Sequence, residues 1–97
     1  MGTMNLRRVV LDVDMAVKRP SLIELAQAIS QCAGVEAVNI TVEEIDIEIV
    51  GTDVTIEGDH LDYEALVKAI ESTGAVVHSI DQLVAGDRLI ERVPRVR

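Results

Sequence analysis

The sequence contains almost no aromatic residues: Tyr63 is the single one, and the 97 residues include neither Phe nor Trp. The apolar core must therefore be built from Val, Ile, Leu and Ala, and the β-branched members of that set favour strands. Proteins that bind single-stranded RNA or DNA commonly stack the bases on aromatic rings. The composition thus argues against recognition of nucleic acid.

Basic residues are also scarce. The sequence contains 9 Lys and Arg residues and 17 Asp and Glu residues, so its formal net charge is −8. Phosphate groups attract clustered Lys and Arg, so this balance opposes binding to nucleic acid or to an anionic membrane surface. Cations or basic partners are favoured instead.

Cysteine and long apolar runs are nearly missing as well. Cys32 is the single cysteine, which excludes an intramolecular disulfide and a CxxC motif and points to a reducing compartment. The N-terminal stretch "MGTMNLRR" has no sustained apolar region, and no run approaches membrane-spanning length. We expect one cytoplasmic domain over 1–97, with a core at about 6–86 and a C-terminal extension at 87–97.

Apolar periodicity and helix-capping signals divide the chain into seven predicted elements. Ser21 and Glu24 form a capping box that starts the first helix, Asp62 can cap the second, and Gly34 and Gly74 end them. A turn is expected near Gly51. The predicted elements are a strand at 6–14, a helix at 21–33, a strand at 35–50, a strand at 53–58, a helix at 62–73, a strand at 75–84 and a short strand at 88–93.

This order predicts an α+β fold, the ferredoxin-like βαββαβ sandwich with an antiparallel sheet, plus a short C-terminal strand. The helices of such a fold cover one face of the sheet and leave the other face open. The open face is expected to carry polar side chains, namely Asp12, Asp14, Asn39, Thr41, Glu43, Thr55 and Glu57.

The segment "VNITVEEIDIEIV" at 38–50 changes its alternation halfway. Its first half has apolar residues at even positions, whereas its second half has them at odd positions, in Ile45, Ile47 and Ile49. Three isoleucines in water would be unfavourable, so a second subunit is expected to cover them. A β-bulge at Glu43–Glu44 that turns them inward is the alternative.

Carboxylates and one histidine are the candidate ligands of a metal ion. Asp12 lies on the first strand, and the usual sheet order would place His78 and Asp81 beside it. Glu44 and Asp46 belong to a second acidic row. Oxygen ligands suit calcium or magnesium. We therefore predict metal ligation by Glu44, Asp46, Asp12, His78 and Asp81, with solvated surface charge as the alternative and no other cofactor.

The sequence offers no recognisable arrangement of catalytic residues. Ser79 and His78 are neighbours on a strand and should face opposite ways, no nucleophile elbow surrounds them, and His60 is expected in a loop. The segment "GDRLIE" lacks the glycine-rich cradle of a phosphate site. No catalytic residue is predicted, and we expect that the protein is not an enzyme.

The segments "RRVVLDV", "GVEAVNITVEEID", "VTIEGDHLDYEAL" and "HSIDQLVAG" together resemble the archaeal family called domain of unknown function 211. The resemblance spans about 7–86 and implies a ferredoxin-like subunit in closed homo-oligomers such as rings, with no established activity. Asp12, Glu44, Asp46, His78 and Asp81 fall within the matching segments. Asp14 does not, because "DMAVKRP" stands where such proteins usually have an "LKP"-like turn.

The function expected from these observations is that of a non-catalytic, self-assembling cytoplasmic protein that binds a divalent cation or a small ligand at subunit interfaces. No membrane or nucleic acid is expected among its partners. The alternative is a regulatory domain that senses a small molecule. Thermal-shift screening separates the two, because a sensor would be stabilised more by its metabolite than by any cation.

Overall fold

A computed structural model describes residues 4–18 and 20–94 of the chain. The elements are β1 (Leu6–Ala16), α1 (Leu22–Ser30), β2 (Val35–Ile45), β3 (Ile49–Gly58), α2 (Tyr63–Ser72) and β4 (Val76–Ala85). The strands form one antiparallel sheet in the order β2-β3-β1-β4. The predicted ferredoxin-like α+β fold is confirmed.

Both helices begin at the side chains that the sequence indicates. Ser21 accepts a hydrogen bond from the backbone N–H of Glu24, and Glu24 accepts one from the N–H of Ser21, which completes the capping box. Asp62 accepts from the N–H of Ala65 at the start of α2. Among the described residues, neither helix is long and apolar enough to cross a membrane.

The core lies between the two helices and one face of the sheet. Alternate side chains of β1, those of Val9, Leu11 and Val13, are buried on this face. The largest fully buried side chains are aliphatic: Leu11, Leu25, Ile29, Ile56, Leu66 and Ile70. The opposite side of the sheet, which we call the open face, carries the remaining alternate positions and has no helix over it.

The turn between β2 and β3 lies earlier in the chain than the sequence indicates. The N–H of Asp46 donates to the carbonyl of Ile49 at 2.8 Å, and Asp46 Oδ1 accepts from the N–H of Ile47 at 2.7 Å. These two bonds close a hairpin at Asp46–Ile49. The turn predicted near Gly51 is therefore wrong, because Gly51 lies inside β3, opposite Asp14 and Glu44.

The sequence left two alternatives for the three isoleucines: a second subunit covers them, or a β-bulge turns them inward. The register of β2 against β3 shifts between Val42 and Glu44, so a bulge does form at Glu43. It does not bury the isoleucines: Ile45, Ile47 and Ile49 are 73%, 90% and 50% exposed. The hairpin turn explains this result, because the three isoleucines lie in or beside the turn, where the chain reverses at the end of β2.

The short strand predicted at 88–93 does not form, and residues 89–94 have no regular secondary structure. Gly86 adopts a φ of 125°, which permits a sharp change of chain direction at the end of β4. The C-terminal segment, residues 87–94, then meets the open face, where Glu91 binds Arg8 through both carboxylate oxygens. Side-chain hydrogen bonds thus replace the ladder bonds of a strand.

Two glycines of β3 offer a test of how closely this strand packs against the backbone at Gly34. A Cβ added at Gly58 would lie 1.9 Å from the backbone oxygen of Gly34, whereas one at Gly51 would have its nearest neighbour at an ordinary 3.6 Å. We expect Gly58→Ala to destabilise the protein by about 3 kcal/mol, because backbone must move. Gly51→Ala is the matched control and should change stability by less than about 1 kcal/mol. Urea unfolding measures both, and equal effects would contradict the packing described.

Candidate functional site

A row of polar side chains crosses the open face at the middle of the sheet. Asp12 of β1 lies opposite Asp53 of β3, Asp53 lies opposite Thr41 of β2, and Asp12 lies opposite Ser79 of β4. Paired residues of neighbouring antiparallel strands project to the same side at short range. Two carboxylates are therefore adjacent at the centre of this face.

Glu43 adds a third carboxyl group beside this row. A side-chain hydrogen bond with Asp53, followed by the charge of Asp53, raises the pKa of Glu43 above its ordinary value. A carboxyl group that holds its proton more tightly next to a second carboxylate indicates local like-charge crowding. A bound proton or cation would relieve that crowding.

His78 and Asp81 reach the open face because β4 is irregular at both positions. The register of β4 against β1 shifts between Val10 and Leu11 and again between Asp12 and Val13, so that Asp81 and His78 each occupy an extra position. Nδ1 of His78 lies 3.5 Å from Oδ2 of Asp12. Asp81 instead accepts a hydrogen bond from the hydroxyl of Ser79 at 2.8 Å.

The second predicted group, Glu44 and Asp46, lies at the hairpin end of the sheet. Both residues line an open depression of about 450 Å³, together with Asp14, Gly51 and two isoleucines. One oxygen of Asp46 is already engaged with the N–H of Ile47. Asp46 is thus a turn residue, whereas Glu44 belongs to β2.

No three His, Cys, Asp or Glu side chains within residues 4–18 and 20–94 are arranged to hold one metal ion. The structure brings Asp12 together with His78, and it brings Glu44 and Asp46 into one depression. A cation at either place would need further ligands from water or from another chain. Metal binding by Glu44, Asp46, Asp12, His78 and Asp81 stays a prediction.

Arg8 projects a positive charge from β1 on the open face. Its guanidinium donates to Glu57 at 2.7 Å, to Gln82 at 3.3 Å and to the two oxygens of Glu91 at 2.9 and 2.8 Å. Hydrogen bonds to Glu91 and then Glu57 raise the pKa of Arg8, and the bond from Arg8 lowers the pKa of Glu91. Arg8 therefore fixes the C-terminal segment to the sheet at neutral pH.

An apolar cluster, which we call the hairpin tip, shares Ile45 and Ile49 with the lining of the acidic depression. It consists of Val17, Ile45, Ile47 and Ile49, all of them exposed. The N–H of Val17 donates to the carbonyl of Glu48 at 3.1 Å, so the end of β1 is fixed to the turn. Glu44, Asp46 and Glu48 alternate with the isoleucines in the sequence, so this apolar surface has acidic neighbours.

Sequence reasoning did not identify the Glu43–Asp53 pair or the role of Arg8. The first was hidden by the turn predicted near Gly51, because the register of β3 depends on where the hairpin reverses. The second had a weak signal, since Arg8 lies on the same strand face as Asp12 and Asp14, where it is the basic residue among alternate positions 8–14. The sequence did not identify Glu91 as the partner of Arg8, because that contact depends on the course of the backbone after Gly86.

The Glu43–Asp53 contact leads to a titration experiment. Since the raised pKa of Glu43 means that folding favours its protonated form, this group stabilises the fold at acidic pH and the contribution is lost as pH rises through that pKa. Asp53→Asn should shift the Glu43 titration midpoint to lower pH in a carboxyl-carbon NMR titration. Glu91, whose pKa depends on Arg8, is the internal control and should not move. An unchanged Glu43 midpoint would contradict the contact.

Two comparisons place the chain among known proteins. Residues 7–97 match the model of the DUF211 family, described as uncharacterized ArCR. The chain is also similar to the uncharacterized protein MJ0319 of Methanocaldococcus jannaschii, with 42% identity over 88 residues that cover 91% of this chain and 90% of that protein. Both matches include the acidic open face and the hairpin tip, and the family predicted from the sequence is confirmed. The chain belongs to the archaeal DUF211 family.

Proposed function

We propose that this protein is a non-catalytic, self-assembling cytoplasmic protein whose copies cover one another's hairpin tips and whose acidic open face takes up divalent cations at the subunit interface. The observation that carries the proposal is the exposure of Ile45, Ile47 and Ile49, at 73%, 90% and 50%. Burial of one isoleucine is worth about 1.5 to 3 kcal/mol relative to full exposure. A second copy that covers the tip would recover much of that free energy.

The shape of the subunit supports assembly. The molecule measures 42 × 39 × 20 Å, because two helices cover just one face of a four-stranded sheet. Such a thin two-layer domain buries a smaller share of its surface than a larger protein. Further apolar burial is therefore available between copies.

The charges of the open face support cation uptake. Asp12 and Asp53 are adjacent, Glu43 shares a hydrogen bond with Asp53, and Glu44 and Asp46 line one depression. Ionisation of carboxylates that lie this close together costs more unless a cation compensates. Hard divalent cations prefer oxygen ligands of this kind.

Self-assembly is tested by multi-angle light scattering at micromolar concentration. We expect the wild-type protein to elute as an oligomer and Ile47→Asp to elute as a monomer, because a carboxylate at the tip would be costly to bury. Ile23→Asp is the matched control: Ile23 is equally apolar and 71% exposed, but it lies on α1. It should leave the oligomer intact. A monomeric wild-type protein, or an oligomer that tolerates Ile47→Asp, would contradict the proposal.

Cation binding is tested by calorimetric titration of metal-stripped protein with calcium and with magnesium. We expect saturable heat for the wild-type protein and a higher oligomer melting temperature, because bound cations offset carboxylate repulsion. The variant carrying Glu44→Gln and Asp46→Asn should lose the heat if this group is the site, and the variant carrying Asp12→Asn and His78→Gln tests the second group. Glu71→Gln on α2 is the control. Heat that is absent, or unchanged in both variants, would leave these residues as surface charge.

A further inference from the structure

The proposed self-assembly raises the question of which surface of a neighbouring copy covers the hairpin tip. The tip could meet another tip, or it could meet a different surface of the next chain. Tip-to-tip contact would bring Glu44, Asp46 and Glu48 of two chains together, so like charges would be crowded at one interface. A surface that combines apolar side chains with positive charge would fit better.

The C-terminal segment presents such a surface. Its apolar side chains Leu89, Ile90 and Val93 are 39%, 62% and 81% exposed. Arg88 precedes Leu89 and Arg92 precedes Val93, and the segment also contains Asp87 and Glu91. Within residues 4–18 and 20–94, neither arginine forms an ion pair. Since Glu91 is bound to Arg8, the segment offers two arginines and one carboxylate, Asp87, beside its apolar side chains, whereas carboxylates alternate with the isoleucines of the tip.

The segment is held in place on its own chain. The N–H of Gly86 donates to the carbonyl of Asn5 at 2.8 Å, and Glu91 binds Arg8 through both oxygens. Val84, which lies opposite Arg8 on β4, is buried although it is outside the helix-side core. This anchoring lowers the conformational entropy that the segment would lose on binding a partner.

The two surfaces lie toward opposite ends of the sheet. The C-terminal segment is bound at Arg8, whereas the tip adjoins Ala16, which lies opposite Ile49. Eight positions along an extended strand correspond to about 26 Å. One chain therefore cannot bring its own tip onto its own C-terminal segment, but a second copy can supply the missing surface.

We propose that the hairpin tip of one copy docks on the C-terminal segment of the next copy, in a head-to-tail interface where Ile45, Ile47 and Ile49 pack against Leu89, Ile90 and Val93. Arg88 and Arg92 lie at the rim, next to Glu44, Asp46 and Glu48 of the neighbour. A head-to-tail contact leaves one tip and one segment free at the ends of every open chain.

Complementation between two defective chains tests this interface. Ile47→Asp disables the tip and leaves the segment intact, whereas Ile90→Asp disables the segment and leaves the tip intact. Each variant alone should be a monomer by light scattering. An equimolar mixture should form a one-to-one dimer with twice the monomer mass, because the intact tip of one variant meets the intact segment of the other. Circular dichroism checks that both fold, and Val93→Asp replaces Ile90→Asp if that variant does not.

A charge exchange provides a second, independent readout. Arg92→Glu should cause loss of the assembly, and addition of Glu48→Arg in the same chain should restore it, because every interface then carries the reversed pair. Lys68→Glu on α2 changes the net charge by the same amount and should leave the assembly unchanged. Restoration would be specific to the proposed contact.

The outcomes separate this inference from the proposed function on which it rests. A monomeric wild-type protein would overturn self-assembly itself. A wild-type oligomer that is lost in Ile47→Asp but kept in both Ile90→Asp and Arg92→Glu would overturn the head-to-tail interface alone and favour tip-to-tip contact. Failure of the two monomeric variants to form a mixed dimer would also overturn it.

Discussion

The alternation of side chains along β1 is the constraint on which the rest of the structure depends. Val9, Leu11 and Val13 hold the helices against one side of the sheet, while Arg8 and Asp12 project from the other. Since β1 pairs with both β3 and β4, its registers determine which side chains meet on the open face. A one-residue slip would exchange the core with the charges.

Irregular positions on the outer strands decide which polar groups come together. The bulge at Glu43 directs that carboxyl group toward Asp53, and the extra positions at His78 and Asp81 bring them to the same side of the sheet as Asp12. Regular alternation would have separated His78 from Asp81. Bulges are common where a strand must re-aim a side chain, and here they gather acidic groups on a face that no helix covers.

The two ends of the molecule differ in character, and this asymmetry gives the subunit a direction. The hairpin tip joins apolar side chains to carboxylates, whereas the C-terminal segment joins apolar side chains to arginines. Arg8 connects the segment to the sheet that carries the acidic groups. The proposed assembly and cation uptake would therefore act on one continuous surface, because the segment is bound to the same open face that carries the acidic groups.

The sequence by itself determined the elements, their order and the two helix caps, since each depends on local periodicity or on a side chain that bonds a nearby backbone group. It also indicated the acidic open face and the family. Tertiary structure decided the hairpin at Asp46–Ile49, the exposure of its isoleucines and the partner of Arg8. Those features depend on strand register and on the path after Gly86, which join residues far apart in the chain and leave no periodic signal.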